Sequence, residues 1–104
     1  MQTLTPLELQ QRIAHGTATM VDVREAPELE LARLDGAFHL PLSELERRWT
    51  ELQPLKNLVL ICHHGARSER AGRFLKQQGL EGFAHLAGGI DAWSAQVDAT
   101  VPRY

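Results

Sequence analysis

The fold is constrained most by a short apolar segment in the middle of the chain, residues 58–62, with the sequence LVLIC. Continuous apolar character without alternation is typical of a strand that is covered on both faces, as strands of parallel sheets are. The segment is far shorter than the ~20 residues that a membrane-spanning helix needs. It therefore predicts a central strand of a parallel sheet, with Cys62 at its carboxyl end.

Helices and strands are predicted to alternate along the rest of the chain. A first helix begins with Thr5 as N-cap, has Pro6 in its first turn and a capping box completed by Glu8, and ends at Gly16. The further predicted elements are strands at 18–24, 37–40 and 83–86 and helices at 28–34, 43–53 (opened by a capping box of Ser43 and Glu46), 68–78 (with Ser68 as N-cap) and 90–96. This alternation predicts an α/β fold, an open parallel sheet of about five short strands with helices on both faces.

Composition excludes several classes of protein. A chain of 104 residues has room for one domain, which we expect to span residues 1–104. Its 11 Lys and Arg against 13 Asp and Glu give a formal charge of -2, so neither nucleic acid nor a membrane is expected as partner. The N-terminus has no basic region followed by an apolar stretch, and we expect a cytoplasmic protein. The one cysteine forms no internal disulfide, which leaves a buried apolar side chain or a reactive thiol.

Cys62 is followed by a polar loop that leads into a predicted helix and consists of His63, His64, Gly65, Ala66, Arg67 and Ser68. In open α/β sheets, ligands bind beyond the carboxyl ends of the strands. A tight loop before a helix can aim its backbone N–H groups into one concavity, and the helix N-terminus adds partial positive charge. Because a thiol at such a place ionises more readily than a free cysteine, we predict an anion-binding loop around an accessible, nucleophilic Cys62.

Four segments together resemble the rhodanese, or thiosulfate sulfurtransferase, family: VDVRE at 21–25, DGA at 35–37 with LP at 40–41, the loop at 62–68, and LAGGIDAW at 86–93. The resemblance implies that Cys62 accepts a sulfane sulfur to become a persulfide, and that the loop amides and Arg67 surround this sulfur. The expected donor is thiosulfate or a protein persulfide, the acceptor is a thiol, cyanide or a sulfur-relay protein, and no cofactor is needed. One departure is ARL at 32–34, where family members often have Gly-His-Ile.

Other polar residues near the loop carry weaker signals. The candidates for the rim of the pocket, at the end of a second strand, are Asp22, Arg24 and Glu25. For Asp22 the alternative is a structural pairing with an arginine. His63 and His64 are candidates for proton transfer to the incoming thiol or are plain surface residues. No metal site is expected, because adjacent side chains diverge and no fourth ligand has the usual spacing. No function is predicted for His85.

Two other classes of function stay open. The first is a sulfur carrier or a non-catalytic binding module of the same fold, and the presence of Cys62 argues against the module. The second is a cysteine-dependent phosphatase or arsenate reductase, which also places a thiolate in a loop of amides closed by arginine. In those enzymes, five residues typically separate the cysteine of the loop from its arginine, whereas four residues separate Cys62 and Arg67 here. The shorter loop fits a bound sulfur atom better than a phosphoryl group.

Overall fold

A computed structural model describes the whole chain, residues 1–104. In chain order the elements are β1 (Gln2–Leu4), α1 (Pro6–Ala14), β2 (Thr19–Asp22), α2 (Ala26–Leu31), β3 (Phe38–His39), α3 (Leu42–Arg48) followed by a 3-10 helix (Trp49–Leu52), β4 (Leu58–Ile61), α4 (Ala66–Gln77), β5 (Ala84–Leu86) and α5 (Gly89–Gln96). The five strands are parallel and form one sheet in the order β1-β5-β4-β2-β3, which confirms the predicted α/β fold. The longest helix, α4, has 12 residues, and no helix combines the length and apolar character that a membrane crossing requires.

The predicted central strand, β4, lies between β2 and β5, and all four of its residues are buried. Its side chains alternate between two hydrophobic clusters, with Val59 and Ile61 on one face of the sheet and Leu58 and Leu60 on the other. Helices α1 and α5 cover the first face, and α3 and α4 cover the second. Cys62 continues the alternation and packs in the second cluster.

The start of α1 forms the predicted capping box. The Thr5 amide donates to Glu8 Oε1 at 3.0 Å, and the Glu8 amide donates to Thr5 Oγ1 at 3.1 Å. The strand before this helix, β1, is not among the predicted elements. It has three residues, two of them exposed, and no alternation that a local pattern would reveal. Its pairing with β5, which aligns Leu4 with Leu86, holds it at the edge of the sheet.

The predicted capping box of α3 is wrong. The helix begins at Leu42, directly after Pro41, so Ser43 already lies inside it. The Ser43 hydroxyl donates to Glu25 Oε1 at 2.6 Å and thereby joins α3 to the residue that precedes α2. The Ser43 side chain therefore binds Glu25, a tertiary partner, and not the helix backbone as the local pattern predicts.

The predicted N-cap of α4 is wrong as well. The helix begins at Ala66, because Gly65 takes the N-cap position with a φ of 112°, a backbone conformation that glycine adopts without a steric penalty. Ser68 therefore lies in the first turn of the helix, where its side chain is fully buried. This placement turns the Ser68 hydroxyl towards the end of β4.

Candidate active site

The sulfur of Cys62 lies at the carboxyl end of β4, beneath the first turn of α4. The Gly65 amide donates to Cys62 Sγ at 3.0 Å, and Ser68 Oγ lies 3.5 Å from the same sulfur. The side chain is 0% exposed, so the prediction of an accessible thiol is wrong for this conformation. The sulfur is nevertheless held by polar groups, because a backbone N–H and a hydroxyl contact it within an otherwise apolar cluster.

The loop that carries Cys62 is anchored by the glycine turn before α5. The Ile90 amide donates to Cys62 O at 2.8 Å, and the Asp91 amide donates to His63 O at 3.1 Å. This close approach depends on Gly89, whose φ is 62° and where an added Cβ would lie 2.4 Å from both carbonyl oxygens. The start of α5 therefore sets the position of the loop from outside it.

Arg67 pairs with a carboxylate on α2. Its Nη1 and Nη2 donate to Glu28 Oε1 and Oε2 at 2.5 and 2.7 Å, and the Tyr104 hydroxyl donates to Glu28 Oε2 at 2.7 Å. The hydrogen bonds from Arg67 lower the pKa of Glu28 to about 2, and Glu28 in turn raises the pKa of Arg67. The charge of this guanidinium is therefore compensated by a carboxylate of α2, while Cys62 also lies close enough to raise the pKa of Arg67.

Asp22 and Arg24 lie inside the protein, and the expectation that they border a pocket rim is not met either. They are 1% and 0% exposed, and Arg24 Nη2 donates to Asp22 Oδ2 at 2.7 Å and to Ala32 O at 2.8 Å. Arg24 Nη1 donates to the Tyr104 hydroxyl at 2.8 Å. Because the Tyr104 hydroxyl also donates to Glu28 Oε2, Arg24 is linked through Tyr104 to the Glu28–Arg67 pair. Glu25, the third rim candidate, is half-buried and holds Ser43.

The two loop histidines occupy different environments. His63 is half-buried, and its ring stacks on Tyr104 with the ring centres 3.8 Å apart and the planes within 4°. Its Nε2 is buried without a hydrogen-bond partner, and burial lowers the pKa of His63, so the ring is neutral near pH 7. His64 is exposed and lies 3.9 Å from Asp91. Of the other loop residues, Gly65 is buried and Ala66 exposed.

Three residues that contact the predicted site residues are missing from the sequence prediction: Glu28, His85 and Tyr104. Glu28 and Tyr104 are 76 residues apart in the sequence, and no local pattern could pair them. His85 Nδ1 lies 3.0 Å from Ser68 Oγ. A signal for His85 did exist, because the alternation of side chains along β5 turns it to the face opposite Ala84 and Leu86. No group of three His, Cys, Asp or Glu side chains is arranged to hold a metal ion.

The comparison with known proteins agrees with this fold. Residues 5–96 match the family model described as Rhodanese-like domain. The protein YrkF of Bacillus subtilis (strain 168), by its name a candidate sulfur carrier protein, is 38% identical over 79 residues, which are 76% of this chain and 43% of YrkF. The chain therefore spans less than half the length of that relative.

Two solved structures extend the likeness to the fold. A rhodanese-related protein from Thermoplasma volcanium is 33% identical, with a TM-score of 0.85 over 93% of this chain and 94% of that one. The human single-domain sulfurtransferase TSTD1 is 26% identical, with a TM-score of 0.77 over 92% of this chain and 97% of that one. Because the family model covers most of the chain and these folds superpose along nearly all of it, the protein belongs to the rhodanese-like domain family, as the four sequence segments indicated.

Proposed function

We propose that this protein is a sulfurtransferase that carries a sulfane sulfur as a persulfide on Cys62. The observation that carries the proposal is the hydrogen bond from the Gly65 amide to Cys62 Sγ, 3.0 Å long, in a rhodanese-like domain whose only cysteine stands at the carboxyl end of the central strand. An amide aimed at sulfur stabilises a thiolate or a persulfide anion, whereas an inert core cysteine needs no such partner.

The reaction takes place in two displacements. First, the Cys62 thiolate attacks the outer sulfur of the donor; a new S–S bond forms, and the bond between the two donor sulfurs breaks. With thiosulfate, sulfite leaves with the electron pair. Second, an acceptor thiolate or cyanide attacks the outer sulfur of the persulfide and returns Cys62 as a thiolate. Both leaving groups depart as anions, so backbone amides of the loop and of the first turn of α4 suffice to stabilise them.

The donor is thiosulfate or another persulfide donor, and the pairing of Arg67 bears on which is preferred. A free guanidinium would attract dianionic thiosulfate, but Glu28 already compensates that charge. This favours a less charged donor, such as the persulfide of another protein. The acceptor would correspondingly be a thiol, cyanide or a sulfur-relay protein, and the function of YrkF as its name describes it fits a relay.

The proposal is tested by intact-protein mass spectrometry after exposure to thiosulfate and, separately, to glutathione persulfide. We expect the wild-type protein to gain the mass of one sulfur and the Cys62→Ser variant to gain none. Addition of cyanide should remove the extra sulfur and release thiocyanate. A wild-type mass that stays unchanged with both donors would overturn the proposal.

A second candidate is a sulfur carrier or binding module without turnover of small molecules. The observation that favours it is the 0% exposure of Cys62, since a small-molecule donor can reach the sulfur only after the residues around it have moved. A carrier gains one sulfur in the mass experiment but shows no multiple turnover with thiosulfate and cyanide. A non-catalytic module gains no sulfur. Iodoacetamide alkylates its thiol slowly at every pH below the range in which a free cysteine ionises.

A further inference from the structure

A chain of hydrogen bonds connects the buried sulfur to the protein surface. Ser68 Oγ lies 3.5 Å from Cys62 Sγ and 3.0 Å from Nδ1 of His85. The other ring nitrogen of His85, Nε2, lies 3.2 Å from Thr3 Oγ1. Ser68 is 0% and His85 8% exposed, whereas Thr3 is exposed. The chain therefore starts at a thiol without contact to solvent and ends at a hydroxyl in water.

The ring of His85 permits only two directions of donation along this chain. Burial lowers the pKa of His85, so the imidazole is neutral, with one nitrogen that donates and one that accepts. In the first direction the Cys62 thiol donates to Ser68, the Ser68 hydroxyl donates to Nδ1, and Nε2–H donates to Thr3. In the second direction Thr3 donates to Nε2, Nδ1–H donates to Ser68, and the Ser68 hydroxyl points at the sulfur.

We propose that His85 is a positioning residue that acts through Ser68 and, by exchanging its two tautomers, carries the proton of the buried Cys62 thiol out to Thr3. The thiol passes its proton to Ser68, Ser68 passes its own to Nδ1, Nε2 passes its proton to Thr3, and Thr3 releases one to water. Every group except the sulfur ends with the number of protons it had before. The sulfur ends as a thiolate that accepts a hydrogen bond from Ser68. The inference rests on the proposed function only in that the thiolate is the reactive form.

Ser68 has a third hydrogen-bond partner besides Cys62 and His85. The Ser68 hydroxyl also lies 3.1 Å from Gly65 O and can donate there. When His85 Nδ1 donates to Ser68 Oγ, it takes one of the oxygen lone pairs and leaves the hydroxyl proton for the sulfur or for this carbonyl. Without His85, both lone pairs of Ser68 Oγ are open to the Cys62 thiol, which then keeps its proton more readily by donating to Ser68. The charged groups that act on His85 are Glu69 on α4 and the Met1 amino group beside β1, with opposite effects on its protonation.

The test is a pH titration of the thiolate by its ultraviolet absorbance, to which Cys62 is the only cysteine that contributes. In His85→Phe, which fills the site with an apolar ring, we expect the midpoint of the thiolate titration to move to higher pH. At a given pH below this midpoint, about tenfold less thiolate should be present, which is the effect of losing one hydrogen bond to a charged group. Ser68→Ala should give a similar shift. The matched control is His15→Phe, at an exposed histidine on the far end of α1, which should leave the midpoint unchanged.

The double variant His85→Phe/Ser68→Ala separates a relay from a general structural effect. If His85 acts through Ser68, the double variant shifts no further than Ser68→Ala alone; additive shifts would overturn the proposal, as would an unchanged midpoint in His85→Phe. Should His85→Phe not fold, His85→Asn takes its place, because its amide still donates to Ser68 but cannot pass a proton. The midpoint of the thiolate titration should then move less, while proton release after a pH jump becomes slower. An unchanged rate of proton release would contradict the relay. The titration needs no sulfur donor, so its outcome is independent of persulfide formation.

Discussion

Arg67 binds Glu28 through two parallel hydrogen bonds of 2.5 and 2.7 Å, although 39 positions separate the two residues in the sequence. The pair joins the first turn of α4, which directly follows the Cys62 loop, to α2 on the other side of the site. The pair also compensates the positive charge of the guanidinium. The charge balance next to Cys62 is therefore set by α2 as much as by the loop itself.

Removing the carboxylate should change the preference for donors. In Glu28→Gln the guanidinium of Arg67 is free to attract thiosulfate, and we expect kcat/KM with thiosulfate to rise by about twofold to fivefold, the range of a partly exposed ion pair. With glutathione persulfide the change should be smaller. Glu30→Gln, at an exposed position of the same helix, is the control and should alter neither value. A fall with both donors would instead mean that Glu28 holds Arg67 in its working position.

The same carboxylate makes stability depend on acidity. The pKa of Glu28 is lowered from 4.5 to about 2 in the folded protein, first of all by the hydrogen bonds from Arg67. A lowered folded pKa stabilises the protein fully above the unfolded value and loses this contribution as the pH falls from about 4.5 towards 2. Urea unfolding across that range should therefore show a steeper loss of stability in the wild type than in Glu28→Gln. Parallel curves would contradict the assignment.

The glycine turn before α5 should be intolerant of a side chain. Gly89→Ala places a Cβ 2.4 Å from Cys62 O and His63 O, so we expect both lower stability and loss of sulfur transfer. Gly16→Ala is the matched control: its φ of 68° is also positive, but nothing lies within 4 Å of an added Cβ. The control should cost only the backbone strain of about 1–2 kcal/mol and leave transfer intact. Equal effects on transfer would refute the anchoring role of the turn.

The buried pair of Asp22 and Arg24 should matter for stability. Arg24→Leu leaves the Asp22 carboxylate buried without its partner, and we expect a loss of about 3–5 kcal/mol in the free energy of unfolding, measured by urea denaturation. Arg24→Leu combined with Asp22→Asn should recover part of this loss, because no unpaired charge is left inside. As a comparison, Arg48→Leu removes a surface partner of Glu44 and Glu51 and should change stability far less.

Features with a local physical cause could be predicted from the sequence. The apolar segment 58–62 determines a strand covered on both faces, because a strand inside a parallel sheet buries its side chains on both sides, and Cys62 follows at its carboxyl end. The capping box of Thr5 and Glu8 determines the start of α1, because its donors and acceptors are three residues apart. The rhodanese-like family was likewise recognisable from four short segments.

The partners of the polar side chains were decided only by the tertiary structure. Ser43 and Ser68 look like helix caps in the sequence but bind Glu25 and His85, and Arg67 binds Glu28 on α2. These contacts exist because the strand order β1-β5-β4-β2-β3 brings β5 and α2 to opposite sides of the Cys62 loop. A side-chain hydroxyl or guanidinium binds an acceptor that the tertiary fold places within hydrogen-bond distance, and the local spacing of residues in the sequence does not indicate which acceptor that is.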